Sequence, residues 1–277
     1  MPRRGALASQ PDAALGEARA TTRRVARTFA LACRLLPAAV RDDVYRLYLV
    51  FRTLDDAVDH GDPAAEERVA AVERWARGGA ASSREARLLA QVAERHPVPR
   101  PALVDFCRGM RDDLEGRALR SEEDLDRYCY RVAGTVGLVL AAVLGTRAPA
   151  EREAAALGMA MQRTNILRDL DEDGARGRSY LPDAARSGSS FAARATGARE
   201  RLVRAQIARA DADYELGVAG IAKLARGRRA VRAAAFMYRE ILREIERDGY
   251  GRSRARAVVP RRRKLALALR HGLVAAP

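Results

Sequence analysis

Apolar residues recur every three or four positions along almost the whole chain. This spacing places them on one face of a helix, so it predicts α-helices throughout. No stretch shows the alternating β-branched residues, bounded by tight turns, that are typical of strands. The predicted helical segments are Val25–Leu36, Val44–Val58, Val69–Trp75, Leu88–Val92, Leu103–Leu114, Leu125–Leu144, Ala154–Leu170, Leu202–Leu224, Val231–Ile245 and Leu265–Leu269.

Glycine and proline fall between these segments, as at Pro37, Gly61–Pro63 and Pro97–Pro101. No internal repeat or low-complexity linker divides the chain, which argues against a solenoid and against two domains. We therefore expect one all-α domain of about ten helices over residues 1–277, with a flexible segment at 1–15. The stretch 174–197 is long for a connection, and it is either a flap over a ligand or disordered.

The formal net charge of +15 favours the approach of anions. Lys223 and Lys264 are the only lysines, so much of this excess reflects a general preference for arginine. Diphosphates and other small polyanions fit the charge. Nucleic acid does not, because the chain has neither helix-turn-helix spacing nor a basic face interleaved with aromatic residues.

Three cysteines, Cys33, Cys107 and Cys129, are odd in number and widely spaced, which indicates a reducing cytoplasm. The basic N-terminus lacks the apolar run of a secretory signal. The longest apolar run, Val132–Gly145, is too short and too rich in glycine to span a bilayer comfortably. We expect a cytoplasmic protein, either free or lying on a membrane surface through its basic C-terminal stretch Arg252–Lys264.

Two acidic stripes carry the candidate chemistry. In the first, Asp55 and Asp59 share a helix face with Arg52 and Tyr48. In the second, Asn165, Asp169 and Asp173 follow one another at four-residue spacing. Like charges four residues apart repel, and a single such pair is common on exposed surfaces. Two of them, each at the end of an apolar helical run, indicate function.

Magnesium ions prefer carboxylate and amide oxygens, and proteins often hold them with one or two carboxylates plus substrate phosphate oxygens. Two opposed aspartate stripes could therefore hold Mg²⁺ around a diphosphate and neutralise its charge as it leaves. Arg52 and Arg168 would complete the clamp, because guanidinium groups match phosphate oxygens in pairs.

Five segments resemble the squalene/phytoene synthase family of head-to-head prenyl transferases, over most of the chain. DDAVD with Arg52 is similar to the first Asp-rich motif of that family, and QRTNILRDLDEDGARGRSYLP, Gln162–Pro182, to the second. RYCYRVAGTVG, Arg127–Gly137, resembles the central helix, and GMRDDL, Gly109–Leu114, the element before it. MYREILREIERDGY, Met237–Tyr250, resembles the penultimate helix.

The resemblance implies an all-α isoprenoid synthase fold with a central cavity between the two aspartate helices. By position, Asp55, Asp59, Asp169 and Asp173 would hold Mg²⁺, or Mn²⁺ in its place, with Asn165 assisting. Arg52, Tyr48, Gln162, Arg168 and Tyr238 would contact the prenyl diphosphates, as would the turn from Val25 to Thr28. Tyr128 would face the reacting carbons. Asp113 faces either the cavity or the solvent, and the family's arginine after the penultimate helix falls on Arg254 or Arg256.

The implied reaction joins two farnesyl or geranylgeranyl diphosphates through a cyclopropylcarbinyl diphosphate, and phytoene is slightly favoured as the product. The alternatives are presqualene diphosphate or squalene, the latter with NADPH as reductant, a terpene synthase, and a binding or assembly protein without catalysis. Gly134 and Gly137 serve either close helix packing or space for a long chain beside the helix. The sequence leaves the oligomeric state open.

Overall fold

The computed structural model describes residues 10–182, 196–251 and 256–273. These residues contain twelve α-helices and no strand, apart from one isolated antiparallel bridge between Thr146 and Leu224. The helices are α1 (Gln10–Val25), α2 (Arg27–Cys33), α3 (Ala38–Asp59), α4 (Ala65–Ala76), α5 (Arg84–Ala93), α6 (Arg100–Leu114), α7 (Glu122–Cys129), α8 (Thr135–Leu144), α9 (Glu151–Ala175), α10 (Thr196–Ala219), α11 (Arg228–Arg247) and α12 (Arg261–Leu273). The prediction of an all-α fold with about ten helices is confirmed.

The first helix, α1, was absent from the predicted segments. Among the side chains of α1 that the structure describes, the buried ones are Leu15, Ala18 and Thr22, too few apolar residues to show a clear period. Residues 10–15 are helical, and residues 1–9 lie outside the described part of the chain, so the flexible N-terminal segment stays a prediction for those nine. The chain changes direction at Ala26, which separates α1 from α2.

The central helix runs without interruption from Glu122 to Leu144, because the π-helical turn Tyr130–Gly134 joins α7 to α8. A capping box starts it, in which the Ser121 hydroxyl accepts from the backbone of Asp124 and the Asp124 carboxylate accepts from the backbone of Ser121. Its length and composition would suit a membrane span. It packs instead against α6 and α9 inside the bundle, as a core helix does.

Glycines let the central helix approach α9 closely. A Cβ on Gly137 would lie 2.1 Å from the carbonyl oxygen of Ala154, and one on Gly158 would lie 2.1 Å from that of Ala133. At Gly134 a Cβ would lie 3.3 Å from Met159 on the same helix, α9. Close helix packing therefore explains Gly134 and Gly137, and Gly137 also lines the cavity described below.

Two large groups of buried side chains and one small group form the core. One large group joins α3, α4, α5, α6 and α8, and the other joins α7, α9, α10 and α11. A cavity opens between the two large groups, bounded by α2, α3, α8, α9, α10 and α11. Helices α3 and α9, which carry the two acidic stripes, thus stand on different walls of the molecule and end near one another.

Candidate active site

The C-terminal half of α3 carries the first stripe. The Arg52 guanidinium donates to Asp55 at 3.2 Å and also to Asp56. Asp56, which does not belong to the stripe, is therefore paired with an arginine of its own helix. Tyr48, one turn before Arg52, stacks on Phe29 of α2 with ring centroids 5.1 Å apart. This stacking ties the first stripe to the segment that leads into α2.

The C-terminal half of α9 carries the second stripe. The Arg168 guanidinium holds both carboxylate oxygens of Asp169, at 2.9 and 2.6 Å. Asp171, off the stripe, is held instead by Arg199. The amide nitrogen of Asn165 donates to Gln162 at 3.5 Å, whereas its buried Oδ1 has no hydrogen-bond partner. An unpaired buried carbonyl oxygen is costly, so Asn165 Oδ1 is ready to accept a ligand.

The two stripes meet through Arg178. Its side chain pairs with the Asp59 carboxylate and donates to the Asp59 carbonyl oxygen at 3.2 Å. Its backbone N–H donates to the carbonyl oxygen of Asp173 at 2.9 Å. One residue thus touches the last aspartate of each stripe. Arg178 was not among the predicted site residues, although the segment GRSYLP that contains it was part of the resemblance.

The ends of the two stripes lie at one end of the cavity, which we call its mouth. The carboxyl groups there carry more negative charge than the neighbouring arginines neutralise. Burial, followed by repulsion from Asp59, raises the pKa of Asp55 from 3.8 to about 6. Burial and the Asp169 carboxylate likewise raise the pKa of Asp173 to about 6, with a further contribution from Asp59 across the gap. That last interaction places the two stripes within electrostatic reach of each other. A cation entering here would relieve repulsion that the arginines only partly offset.

The donors fit a hard cation such as Mg²⁺. They comprise carboxylate oxygens from two helices and the unpaired amide oxygen of Asn165. In the described part of the chain, no three His, Cys, Asp or Glu side chains are close enough to bind a metal by themselves. Each wall therefore offers only part of a coordination shell, and phosphate oxygens are the natural remainder.

Behind the mouth lies a buried hydrogen-bonded pair. The Tyr128 hydroxyl donates to Asp113 at 3.1 Å, and the Tyr180 ring stacks on Tyr128 with centroids 5.2 Å apart. Burial raises the pKa of Asp113 to about 7, with repulsion from Asp55 and Asp59 adding to the effect. Asp113 therefore faces the site rather than the solvent, which decides between the two alternatives left by the sequence.

The remaining predicted substrate residues surround the same mouth. Tyr238 of α11 lines the cavity and interacts with Arg168. Gln162 contacts Asn165 on α9, and Thr28 lies in the first turn of α2, next to the cavity residue Phe29. The side chain of Val25 lies outside the described part of the structure, so its predicted role stays a prediction.

Arg256 extends the second stripe, because its Nε lies 2.9 Å from Asp169. Arg254, the alternative, falls outside the described residues. The structure therefore gives Arg256 a place at the mouth. Sequence spacing alone could not assign it, since the described residues on either side, 248–251 and 256–260, are not helical and give no register to count along.

The cavity below the mouth has a volume of about 260 Å³ and an almost entirely apolar wall. Phe29, Val132 and Met161 line its upper part, and Leu36, Leu144 and Leu224 line its lower part. Glu153 and Tyr238 are the polar residues among those that form the wall. Glu153 precedes Asp169 by sixteen residues on α9, which corresponds to about 24 Å along the helix axis. The lining residues of α9 end at Met161, and the acidic stripe begins four residues later at Asn165, so the charge lies at one end of the cavity.

Comparison with known proteins decides the family. The squalene/phytoene synthase family model matches residues 22–263. This chain belongs to the squalene/phytoene synthase family. A 15-cis-phytoene synthase from Synechococcus elongatus is 37% identical over 287 residues, covering 94% of this chain and 92% of the relative. A phytoene synthase from Thermus thermophilus is 39% identical over 232 residues, covering 80% of each chain.

Solved structures agree with this family. A dehydrosqualene synthase determined in complex with a ligand superposes with a TM-score of 0.82 at 28% identity, covering 94% of this chain and 96% of the other. A squalene synthase from Alicyclobacillus acidocaldarius gives a TM-score of 0.73 at 26% identity, covering 87% and 95%. The isoprenoid synthase fold predicted from the sequence is thus confirmed.

As a member of this family, the chain is a prenyltransferase that joins two prenyl diphosphates head to head, with phytoene favoured as the product. The geometry of the site agrees with this activity. The carboxylates and arginines at the mouth suit a diphosphate with its metal ions, and the apolar cavity below suits a prenyl chain.

Proposed function

We propose that this squalene/phytoene synthase family member condenses two molecules of geranylgeranyl diphosphate into phytoene. The observation that supports this best is the depth of the apolar cavity. An extended geranylgeranyl backbone of about sixteen carbons measures about 20 Å at standard bond lengths. Along α9, Glu153 lies about 24 Å from Asp169, and the cavity wall occupies the part of this helix from Glu153 to Met161, so an extended chain whose diphosphate lies at the aspartates would reach the far end of the cavity.

Mg²⁺, or Mn²⁺ in its place, would be held by Asp55, Asp59, Asn165, Asp169 and Asp173. When bound, it neutralises the charge of the departing diphosphate. Arg52, Arg168 and Tyr238 bind and orient the diphosphates, together with Tyr48, Gln162 and the turn from Val25 to Thr28. The ion pairs in the structure support this assignment, because Arg52 and Arg168 each already hold a carboxylate that a diphosphate would replace.

The apolar wall protects the carbocations. One prenyl diphosphate ionises, and its allylic cation alkylates the other to give a cyclopropylcarbinyl diphosphate, with loss of a proton. A second ionisation and rearrangement followed by a second proton loss gives phytoene, so no reductant is consumed. Tyr128 faces these carbons from the central helix, and its hydroxyl is held in place by Asp113. Water would quench such cations, and the apolar lining excludes it.

A C30 product is the second candidate, favoured by the likeness to the dehydrosqualene and squalene synthase structures. These share the fold at 28% and 26% identity, below the identity to the phytoene synthases. Squalene formation would require NADPH, and phytoene or dehydrosqualene formation would not. We propose a cytoplasmic enzyme that contacts a membrane peripherally.

The test is to incubate the purified protein with farnesyl or geranylgeranyl diphosphate, with Mg²⁺ or EDTA and with or without NADPH. Mass spectrometry of the hydrocarbon extract then identifies the product. We expect phytoene from geranylgeranyl diphosphate, dependent on Mg²⁺ and independent of NADPH. Squalene or dehydrosqualene as the main product in a mixture of both substrates would contradict the proposal.

A further inference from the structure

Four apolar side chains lie exposed on α12 or next to it, and Leu35 is placed there by its contact with Gly272 of that helix. They are Leu35, at 37% exposure, just after α2, Val258, at 68%, before α12, and Leu265 and Leu269 on α12, at 53% and 58%. Leu265 and Leu269 are four residues apart and so share a face of the helix. We call this set, with the outer face of α12, the α12 surface. Exposed apolar residues that cluster in this way mark interaction sites.

The opposite face of α12 packs against the body of the protein and is partly buried. Leu267 and Ala268 pack against buried residues of α2 and α11, including Ala32 and Met237. The His271 ring stacks on Phe236 of α11 with centroids 3.8 Å apart. The helix is therefore fixed to the body by its inner side, and the leucines on its outer side are not a core face displaced from its place.

Basic residues surround these leucines. Arg262 precedes Leu265 by three residues, on the same face, and Arg261 and Arg270 flank the pair. All three are exposed, and none forms an ion pair with another of the described residues. The positive field is felt nearby, since burial and the charges of Arg270 and Arg232 lower the pKa of His271. An apolar stripe set among unpaired arginines complements an anionic lipid surface.

The α12 surface also lies behind the cavity. Ala32 of α2 and Ala234 of α11 touch the inner side of α12 as members of one buried group, and both line the cavity wall. A single layer of helices thus separates the α12 surface from the space that holds the prenyl chains. From these observations, we propose that the α12 surface docks the enzyme on an anionic lipid bilayer and so places the thin α2–α11 wall next to the membrane.

This inference deepens the proposed function and rests on it, because a hydrocarbon product needs an apolar phase to leave into. The docking itself is measured without turnover. Purified protein is mixed with vesicles of phosphatidylcholine alone or with phosphatidylglycerol added, and binding is measured by flotation. We expect binding that requires phosphatidylglycerol and weakens with salt.

Two double variants test the surface. Leu265→Ser with Leu269→Ser removes the apolar stripe, and Arg262→Glu with Arg270→Glu reverses the local charge. Each should lower vesicle binding about tenfold or more. The matched control is Arg87→Glu with Arg120→Glu, two exposed arginines on α5 and before α7, which changes the net charge equally and should retain most of the binding.

Turnover in detergent solution separates the two proposals. If the variants keep wild-type turnover there and lose vesicle binding, docking is supported. If wild-type protein turns over and does not bind anionic vesicles, docking is wrong and the proposed function stands. Equal vesicle binding by the wild type and both variants would also overturn docking. So would a wild-type protein that binds duplex DNA through these arginines and does not bind the vesicles. Circular dichroism checks that each variant is folded.

Discussion

The two ends of α9 each place an acid beside the cavity, and the acids differ in their partners. At the mouth, burial and repulsion by neighbouring carboxylates raise the pKa of Asp173 to about 6. At the far end, Glu153 has its own cation, with Lys223 at 2.6 Å, and this pairing lowers the pKa of Glu153. One end is left with excess negative charge, and the other is neutralised.

The difference shows where binding energy is available. Glu153 is already neutralised by Lys223, so binding a further cation there would release little free energy. The clustered carboxylates at the mouth, such as Asp55 and Asp173, repel one another. A bound cation would relieve this repulsion, so the cluster favours cation binding. Arg178 links the two acidic stripes, because it donates hydrogen bonds to the carbonyl oxygens of Asp59 and Asp173.

The largest expected effect comes from removing a carboxylate at the mouth. Asp169→Ala or Asp55→Ala should lower Mg²⁺-dependent diphosphate release from geranylgeranyl diphosphate about 10³-fold or more, because the leaving group loses its counter-charge. Asp105→Ala, a half-buried acid of α6 paired with Arg108, is the matched control and should leave turnover unchanged. Retained activity in either site variant, with an intact helical signal, would refute the metal assignment.

The next effect concerns the far end of the cavity, its floor. Ala230 lines the cavity one turn after Gly227, which packs near Leu36 and Leu144 at the far end. Ala230→Phe should shorten the cavity and lower kcat/KM for geranylgeranyl diphosphate about 10²-fold, while that for farnesyl diphosphate changes only a few-fold. Ala222→Phe, at an exposed position, is the control. Equal losses for both substrates would show that the floor does not measure chain length.

A smaller effect is expected at Arg178. Its guanidinium competes with an added cation for the carboxylates, so Arg178→Gln should tighten Mn²⁺ binding about tenfold in the absence of substrate. Electron paramagnetic resonance of free Mn²⁺ measures this directly. Arg176→Gln removes a nearby charge that does not contact Asp59 and should change the affinity less. Weaker binding in Arg178→Gln would mean that Arg178 supports the metal site rather than competing for it.

The smallest effect is on stability. The pKa of Asp55 is about 6 in the fold and 3.8 ordinarily, so between these values the folded state holds more protons than the unfolded chain. Stability contributed by this group therefore falls as the pH rises through that range. In EDTA near pH 7, Asp55→Asn should raise the free energy of unfolding by about 1 kcal/mol, a value reduced for the 45% exposure of the side chain.

Below about pH 3 the gain should vanish, because Asp55 is then largely protonated in both states. Urea denaturation at the two pH values measures it. The control is Asp56→Asn, which breaks the pair with Arg52 and should bring no gain. If Asp55→Asn destabilises the protein near pH 7, the carboxylate is already well paired, and the contrast between the mouth and the floor is wrong.

Much of the fold followed from the sequence, because the helices are amphipathic and their spacing repeats. Where the periodicity of apolar residues was weak the prediction failed, as in α1, which has few buried apolar side chains. Both acidic stripes could be read from four-residue spacing, since a helix fixes which of its side chains share a face. The choices at Asp113 and at Gly137 could not, because each depends on what a neighbouring helix brings to the same point.

By itself, the sequence determined the helical class, the two stripes and the likeness to a prenyl-transferring family. Only the tertiary structure decided that Arg178 links the stripes, that Arg256 reaches Asp169, and that Glu153 pairs with Lys223. The reason is physical. Periodicity is a local property of the backbone, whereas the charge felt by a carboxylate depends on groups that are distant along the chain and close in space.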